Sequence, residues 1–197
     1  MTTKILVNVL QNLTTASTKQ LTLWHGGNLD HIQEGVTHKK GRWEGGPGLY
    51  LTTHYDTAKK YAKGSRKLYQ VTIGEGKDIK DVDIEFDTVR HFINAFVIKS
   101  KRKDILQRLE DKWVKNGKIN ADIINNNMIN EEALRPANTN AFRAFLVKNG
   151  VDYSIQDNLF GWHERAIVLF NMDKIISTTR IGPKDKIEIF DLPTEFV

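Results

Sequence analysis

The chain contains no cysteine. Disulfides, thiolate catalysis and cysteine-bound zinc are thereby excluded. It has no apolar stretch long enough to cross a bilayer. Its first apolar run, Ile5-Leu6-Val7-Asn8-Val9-Leu10, is too short and interrupted for a signal peptide. The expected location is therefore cytoplasmic, with no membrane partner. No Pro/Gly/Ser-rich linker, internal repeat or low-complexity tract divides the 197 residues, so a single domain with a core of its own is expected. The run Asn125-Asn126-Asn127 reads as a polar turn. Several nucleotide and metal motifs are also missing. There is no G-x-x-x-x-G-K-[ST] loop and no G-x-G-x-x-G between a strand and a helix. The six histidines include no H-E-x-x-H, since His163-Glu164 has no second histidine four residues after the first. A bound metal is not expected.

What is present is an ordinary globular composition, 40% hydrophobic and 27% charged, with a net charge of +5. That charge permits contact with phosphate backbones or acidic protein surfaces without requiring either. The pattern of apolar residues changes twice along the chain. Residues 20–25 alternate and read as a strand closed by Gly26-Gly27, and Leu49 to Thr53 and Leu68 to Ile73 read as two more. Between the last two, Asp56 to Lys63 reads as a helix stopped by Gly64. The middle is helical. Val89, Phe92, Ile93, Phe96 and Val97 share one face, Ile105, Leu106, Leu109 and Trp113 mark a second helix, and Asn138 is placed to cap a third that carries Phe142, Phe145 and Leu146 and ends at Gly150. The two-residue period then returns at Val151, Tyr153 and Ile155; Ala166 to Phe170 is an apolar run suited to a buried strand, and Ile175 to Ile181 and Lys186 to Phe190 read as further strands. Strands, then helices, then strands predict an α+β domain with a helical insertion over roughly residues 86–150.

Three separated features carry chemistry. Trp24-His25-Gly26-Gly27 lies at a strand end. Gly46-Pro47-Gly48-Leu49-Tyr50-Leu51-Thr52-Thr53 is followed eleven residues after Tyr50 by Tyr61. Gly161-Trp162-His163-Glu164-Arg165 opens a late apolar strand. Each alone fits a structural role: a strand-end histidine, core tyrosines, an edge glutamate. Together and in this order they resemble the ADP-ribosyltransferase fold of the His-Tyr-Glu class, the branch shared by poly(ADP-ribose) polymerases and diphtheria-type toxins. The matching segments cover roughly residues 20–75 and 145–182, and the helical middle matches nothing in that family.

The resemblance implies a split β-sheet core and NAD⁺ as co-substrate. It implies catalytic roles for Glu164, His25 and Tyr50, and NAD⁺ contacts from His25, Gly26, Tyr50, Thr52 and Tyr61. His25 would meet the adenosine-side ribose, the Gly26 backbone the nicotinamide amide, and Tyr50 and Tyr61 would sandwich the ring. The residue types suit the chemistry. Cleaving the nicotinamide–ribose bond passes through an oxocarbenium-like state that a carboxylate stabilises, and tyrosine faces hold a flat cationic ring. The sequence departs from the family at two places. Ala58 stands where a serine often bonds the nicotinamide amide, with Thr57 beside it. Trp162 stands where toxins that modify arginine carry Glu or Gln, which disfavours arginine as acceptor.

The polar segment from Gly27 to Gly45 falls where the family's donor loop covers NAD⁺. Its Lys39, Lys40, Arg42 and Trp43, with Trp162, are the candidate donor-loop and acceptor contacts. Lys59, Lys60, Lys63, Arg66 and Lys67 form a second basic cluster, and Lys99, Lys101, Arg102 and Lys103 a third. The expected activity is mono-ADP-ribosyl transfer to a macromolecular acceptor, nucleic acid with RNA favoured. A bacterial or phage toxin or effector of this kind brings an antitoxin or immunity protein as an expected partner. The alternatives are the same chemistry on a protein, an RNA 2′-phosphotransferase on the same fold, a catalytically dead NAD⁺ or ADP-ribose binding module, and a plain basic nucleic-acid-binding protein.

Overall fold

The strands at both ends of the sequence assemble into one sheet. The computed structural model describes residues 19–29, 45–63, 67–157, 159, 164–182 and 184–197. The chain runs β1 (Gln20–Gly26), β2 (Leu49–Thr52), α1 (Tyr55–Ala62), β3 (Leu68–Gly74), β4 (Asp83–Glu85), α2 (Phe86–Phe96), α3 (Arg102–Trp113), β5 (Lys118–Asn120), α4 (Ala121–Asn130), α5 (Thr139–Lys148), β6 (Tyr153–Asp157), β7 (Arg165–Leu169) and β8 (Ile175–Ile181). Six strands form an antiparallel sheet in the order β6-β7-β2-β1-β3-β8, and β4 and β5 pair separately. The α+β class follows directly. Among the described residues no helix is long and apolar enough to cross a membrane.

The joint at the middle of the sheet is narrow. β1 and β3 are in register from Gln20↔Gly74 to Gly26↔Leu68, and β2 and β7 from Leu49↔Leu169 to Thr52↔Ala166. Between β1 and β2 the one register pair is Trp24↔Thr52. Strand side chains alternate between faces, and the two faces of this sheet do different things. Leu21, Leu23, Leu49, Leu51, Val71, Ile73, Ile167 and Leu169 bury one apolar cluster that spans the joint. On the opposite face, Val168 of β7 and the following Phe170 join the core of α2 to α5, whereas Trp24 and Leu68 pack with Ala58 and Ala62 of α1. The helical middle is thus seated on β7, and α1 on β1 and β3.

Sequence periodicity located these elements to within a few residues, with three corrections. The run Asn125-Asn126-Asn127 is not a turn but the centre of α4. Asn120 caps that helix by accepting from Asp122 N, Asn126 bonds Asp122, and Asn127 is held by Arg108 and bonds Ile123 O, so side-chain partners offset weak helix propensity. Asn138 does stand before α5, but its side chain donates to Phe96 O at 2.7 Å instead of capping. α5 itself ends as expected, with Gly150 at φ +87° two residues past its last turn. Residues 186–190 form no strand, because the backbone there bonds a tryptophan side chain and a helix N-terminus rather than a ladder. The short β4–β5 pair had no expectation set against it.

Candidate active site at the fork of β1 and β2

Beyond the Trp24↔Thr52 pair the two strands part, and His25 stands in the fork. Its Nδ1 lies 2.9 Å from Tyr50 O. A carbonyl only accepts, so the bond places the proton on Nδ1 and leaves the Nε2 lone pair as an acceptor. Burial lowers the His25 pKa below its ordinary 6.5, and the Tyr50 carbonyl opposes that shift. The imidazole is therefore neutral at pH 7. Gly26, next along β1, has no room for a side chain: an added Cβ would lie 1.7 Å from Ala58 O. This close approach is what lets α1 pack onto the strand end. Ala58 is accordingly buried against β1.

Tyr50 is half-buried on β2, and its hydroxyl is fixed at both ends. It accepts from Gly45 N at 3.0 Å and donates to Gly46 O at 2.9 Å. Buried Asn125 of α4 donates to Gly45 O at 3.1 Å from the other side. Gly46 has φ +114°, and a Cβ there would stand 2.7 Å from Asn125 Oδ1. The glycine-rich approach to β2 is thus threaded between the sheet and the helical middle. Tyr61, on the last turn of α1, is 60% exposed.

Glu164 precedes β7 by one residue and is almost fully buried, at 2% exposure. Its Oε1 accepts from Thr52 Oγ1 at the end of β2, and its Oε2 accepts from Thr57 Oγ1 of α1 at 3.0 Å. Thr52 Oγ1 in turn accepts from His54 N at 3.0 Å. The His54 ring lies beside the carboxylate, with Nδ1 3.9 Å from Oε2. A buried carboxylate held by neutral hydroxyls is costly, and such sites survive where function needs them. Two hydroxyl bonds use one lone pair on each oxygen, so acceptor capacity remains for a ligand hydroxyl.

The three motifs, the last of them more than a hundred residues from the other two, thus lie on adjacent strands. His25 bonds the Tyr50 carbonyl and Glu164 bonds Thr52 on the same strand β2 and Thr57 of α1, whereas Tyr61 stands exposed on the last turn of α1. Thr52, expected to meet NAD⁺, is occupied by Glu164. Thr57 and His54 are the site residues that the motifs did not name. Thr57 has a sequence signal, a polar β-branched residue beside Ala58 on the buried face of α1, and His54 has none. Of the basic clusters, Lys59 and Lys60 are exposed on α1, Lys63 is exposed just after it, and Lys67 bonds Asn28. In the third, Lys101 bonds Glu131 O and Arg102 bonds Val97 O, so both serve the helical layer. Lys39, Lys40, Arg42, Trp43, Arg66 and Trp162 lie outside the described residues. Among the described residues no three His, Asp or Glu side chains gather in a way that could hold a metal ion. Compared with protein-family models, curated proteins and solved structures, the chain matches none.

Proposed function

We propose that the protein is an NAD⁺-dependent mono-ADP-ribosyltransferase whose reacting centre lies at the β1–β2 fork. The observation that carries this reading is Glu164, a carboxylate buried at the junction of β2, β7 and α1 and connected through Thr52 to the strand that bears Tyr50. In the reaction the C1′–N1 bond of NAD⁺ breaks and its electron pair neutralises the nicotinamide ring. The ribose is left as an oxocarbenium-like centre. Glu164, accepting from the 2′-hydroxyl, stabilises that charge more in the transition state than in the ground state. The acceptor's nucleophile then attacks C1′ and loses a proton to solvent. Neutral His25 offers Nε2 to a ribose hydroxyl, and Tyr50 and Tyr61 supply ring faces for the nicotinamide.

The acceptor that the surface favours is a nucleic acid, with RNA ahead of DNA. α1 turns Thr57 inward to Glu164 and Lys59 and Lys60 outward, with exposed Lys63 following its last turn, so one short helix joins the carboxylate to a cationic face. Incubation with labelled NAD⁺ and a cell lysate, followed by separate nuclease and protease digestion, tests the whole reading. Label removed by nuclease supports it. Label removed only by protease transfers the case to a protein acceptor. NAD⁺ binding without any cleavage makes the chain a binding module.

A further inference from the structure

Residues 184–197 contribute no strand or helix; Val197 pairs with Gln20 at the start of β1, whereas the polar bonds of residues 190–195 gather at the other end of the sheet. Phe190 O accepts from Trp24 Nε1 and from Tyr55 N, each at 3.0 Å. Leu192 N donates to Thr53 O at 2.9 Å, and His54 and Asp191 form an isolated antiparallel bridge. Arg165 Nη1 donates to Thr194 O at 2.8 Å and meets Glu195 at 3.0 Å. Apart from Trp24 of β1, these anchors adjoin the residues that hold Glu164. Thr53 and His54 follow Thr52, Tyr55 opens the helix that carries Thr57, and Arg165 follows Glu164 itself. The His54 ring stands between two carboxylates, with Nδ1 3.9 Å from Glu164 Oε2 and Nε2 3.8 Å from Asp191 Oδ1. Beneath these bonds, Ile187 and Leu192 pack with Trp24, Ala58, Ala62 and Leu68, and the Tyr55 ring lies edge-on to Phe190 at 5.2 Å.

The arrangement answers a specific need. A carboxylate held by two hydroxyls is placed only as well as the backbone bearing those hydroxyls. Thr52 ends β2, Thr57 lies in α1, and the turn between them must be rigid for both to reach Glu164. The first N–H groups of a helix have no intrahelical partner, and His54, at the N-cap of α1, makes no side-chain cap. Phe190 O supplies that missing acceptor from outside, and Leu192 N takes the outward carbonyl of the turn.

We propose that residues 190–195 are a positioning strap for Glu164, joined to it through the Thr53–Tyr55 turn, His54 and Arg165. The proposal rests on the reading of Glu164 as the catalytic carboxylate. The anchors of the strap lie on Trp24, the Thr53–Tyr55 turn and Arg165, around the carboxylate, so it governs turnover more than NAD⁺ binding.

The test compares two substitutions at one position in the full chain. Leu192→Pro removes the N–H that holds Thr53 O, whereas Leu192→Ala trims the side chain and keeps the N–H. Leu192→Pro is expected to lower kcat for NAD⁺ cleavage about tenfold or more, since small misplacements of reacting groups cost that much. Its NAD⁺ affinity by calorimetry stays within about twofold, and Leu192→Ala keeps most of its turnover. Equal kcat in both variants, or loss of turnover matched by loss of NAD⁺ affinity, overturns the strap. If Leu192→Pro does not fold, Asp191→Ala takes its place, with Asp191→Glu expected to restore turnover. The ¹³C carboxyl resonance of Glu164 is followed in the same variants. It moves with Leu192→Pro if the strap positions Glu164, and an unmoved resonance refutes it. Absence of NAD⁺ cleavage by the unaltered chain overturns the enzymatic reading, while the resonance still decides the strap.

Discussion

Glu164 and His25 set opposite demands on their surroundings. Glu164→Gln preserves shape and removes charge, so NAD⁺ cleavage should fall about a hundredfold or more with NAD⁺ affinity little changed. Single-turnover assays beside calorimetry check both quantities. Thr57→Val removes one donor and leaves Oε2 of a buried carboxylate without it. That should cost roughly 1–3 kcal/mol of stability by urea denaturation, with Thr57→Ser restoring most of it. His25 gives a pH dependence whose sign follows from its lowered pKa. As pH falls below about 6.5 the unfolded chain takes up the proton first, so stability present above that value is lost as pH drops toward the folded pKa. Protonation also removes the Nε2 acceptor, so NAD⁺ affinity should weaken over the same acid range. In His25→Gln the His25 contribution to both trends should vanish, and a profile as steep as that of the unaltered chain would assign the dependence elsewhere.

At the scale of elements, two glycines decide how strands and helices meet. Gly26→Ala places a methyl against Ala58 O, which backbone cannot yield cheaply, so α1 must lift from β1. A loss of roughly 1–3 kcal/mol is expected, and turnover should fall further than stability alone requires, because α1 carries Thr57. Gly46→Ala combines a positive φ with a clash on Asn125 Oδ1 and should disturb the hydroxyl bonds of Tyr50, read as a weakened NAD⁺ affinity. The motif glycines were visible as a pattern. Their reasons were not, because Ala58 is 32 residues from Gly26 and Asn125 is 79 from Gly46, and only folding sets them in contact.

Across the whole molecule, the helical middle and the sheet share a boundary at Val168 and Phe170. Phe170 is fully buried, and Phe170→Ala should cost about 3–5 kcal/mol. If the two layers unfold as one unit, far-ultraviolet dichroism and the fluorescence of Trp24, read with the other three tryptophans replaced by Phe, will shift together in the mutant. Separate midpoints would show that the layers melt independently. The same boundary gives the helical middle a functional consequence, since Asn125 of α4 holds the chain entering β2.

By itself the sequence determined what local periodicity and residue chemistry can carry. The alternation of Leu21 and Leu23, the helical spacing of Val89, Phe92 and Ile93, and the stop at Gly150 all follow from short-range patterns that burial rewards. The sequence also marked His25, Tyr50 and Glu164, because their flanking glycines and apolar strands are local. It misplaced Asn125-Asn126-Asn127 and the stretch from Lys186 to Phe190, where propensity gave way to partners far along the chain. Tertiary structure alone decided that Thr52 and Thr57 hold Glu164, that His54 stands between Glu164 and Asp191, and that the chain after β8 fastens the turn between them. The physical reason is that a buried carboxylate takes its donors from whatever strands and helices packing brings beside it, and hydrogen bonds spanning more than a hundred residues leave no period in the sequence.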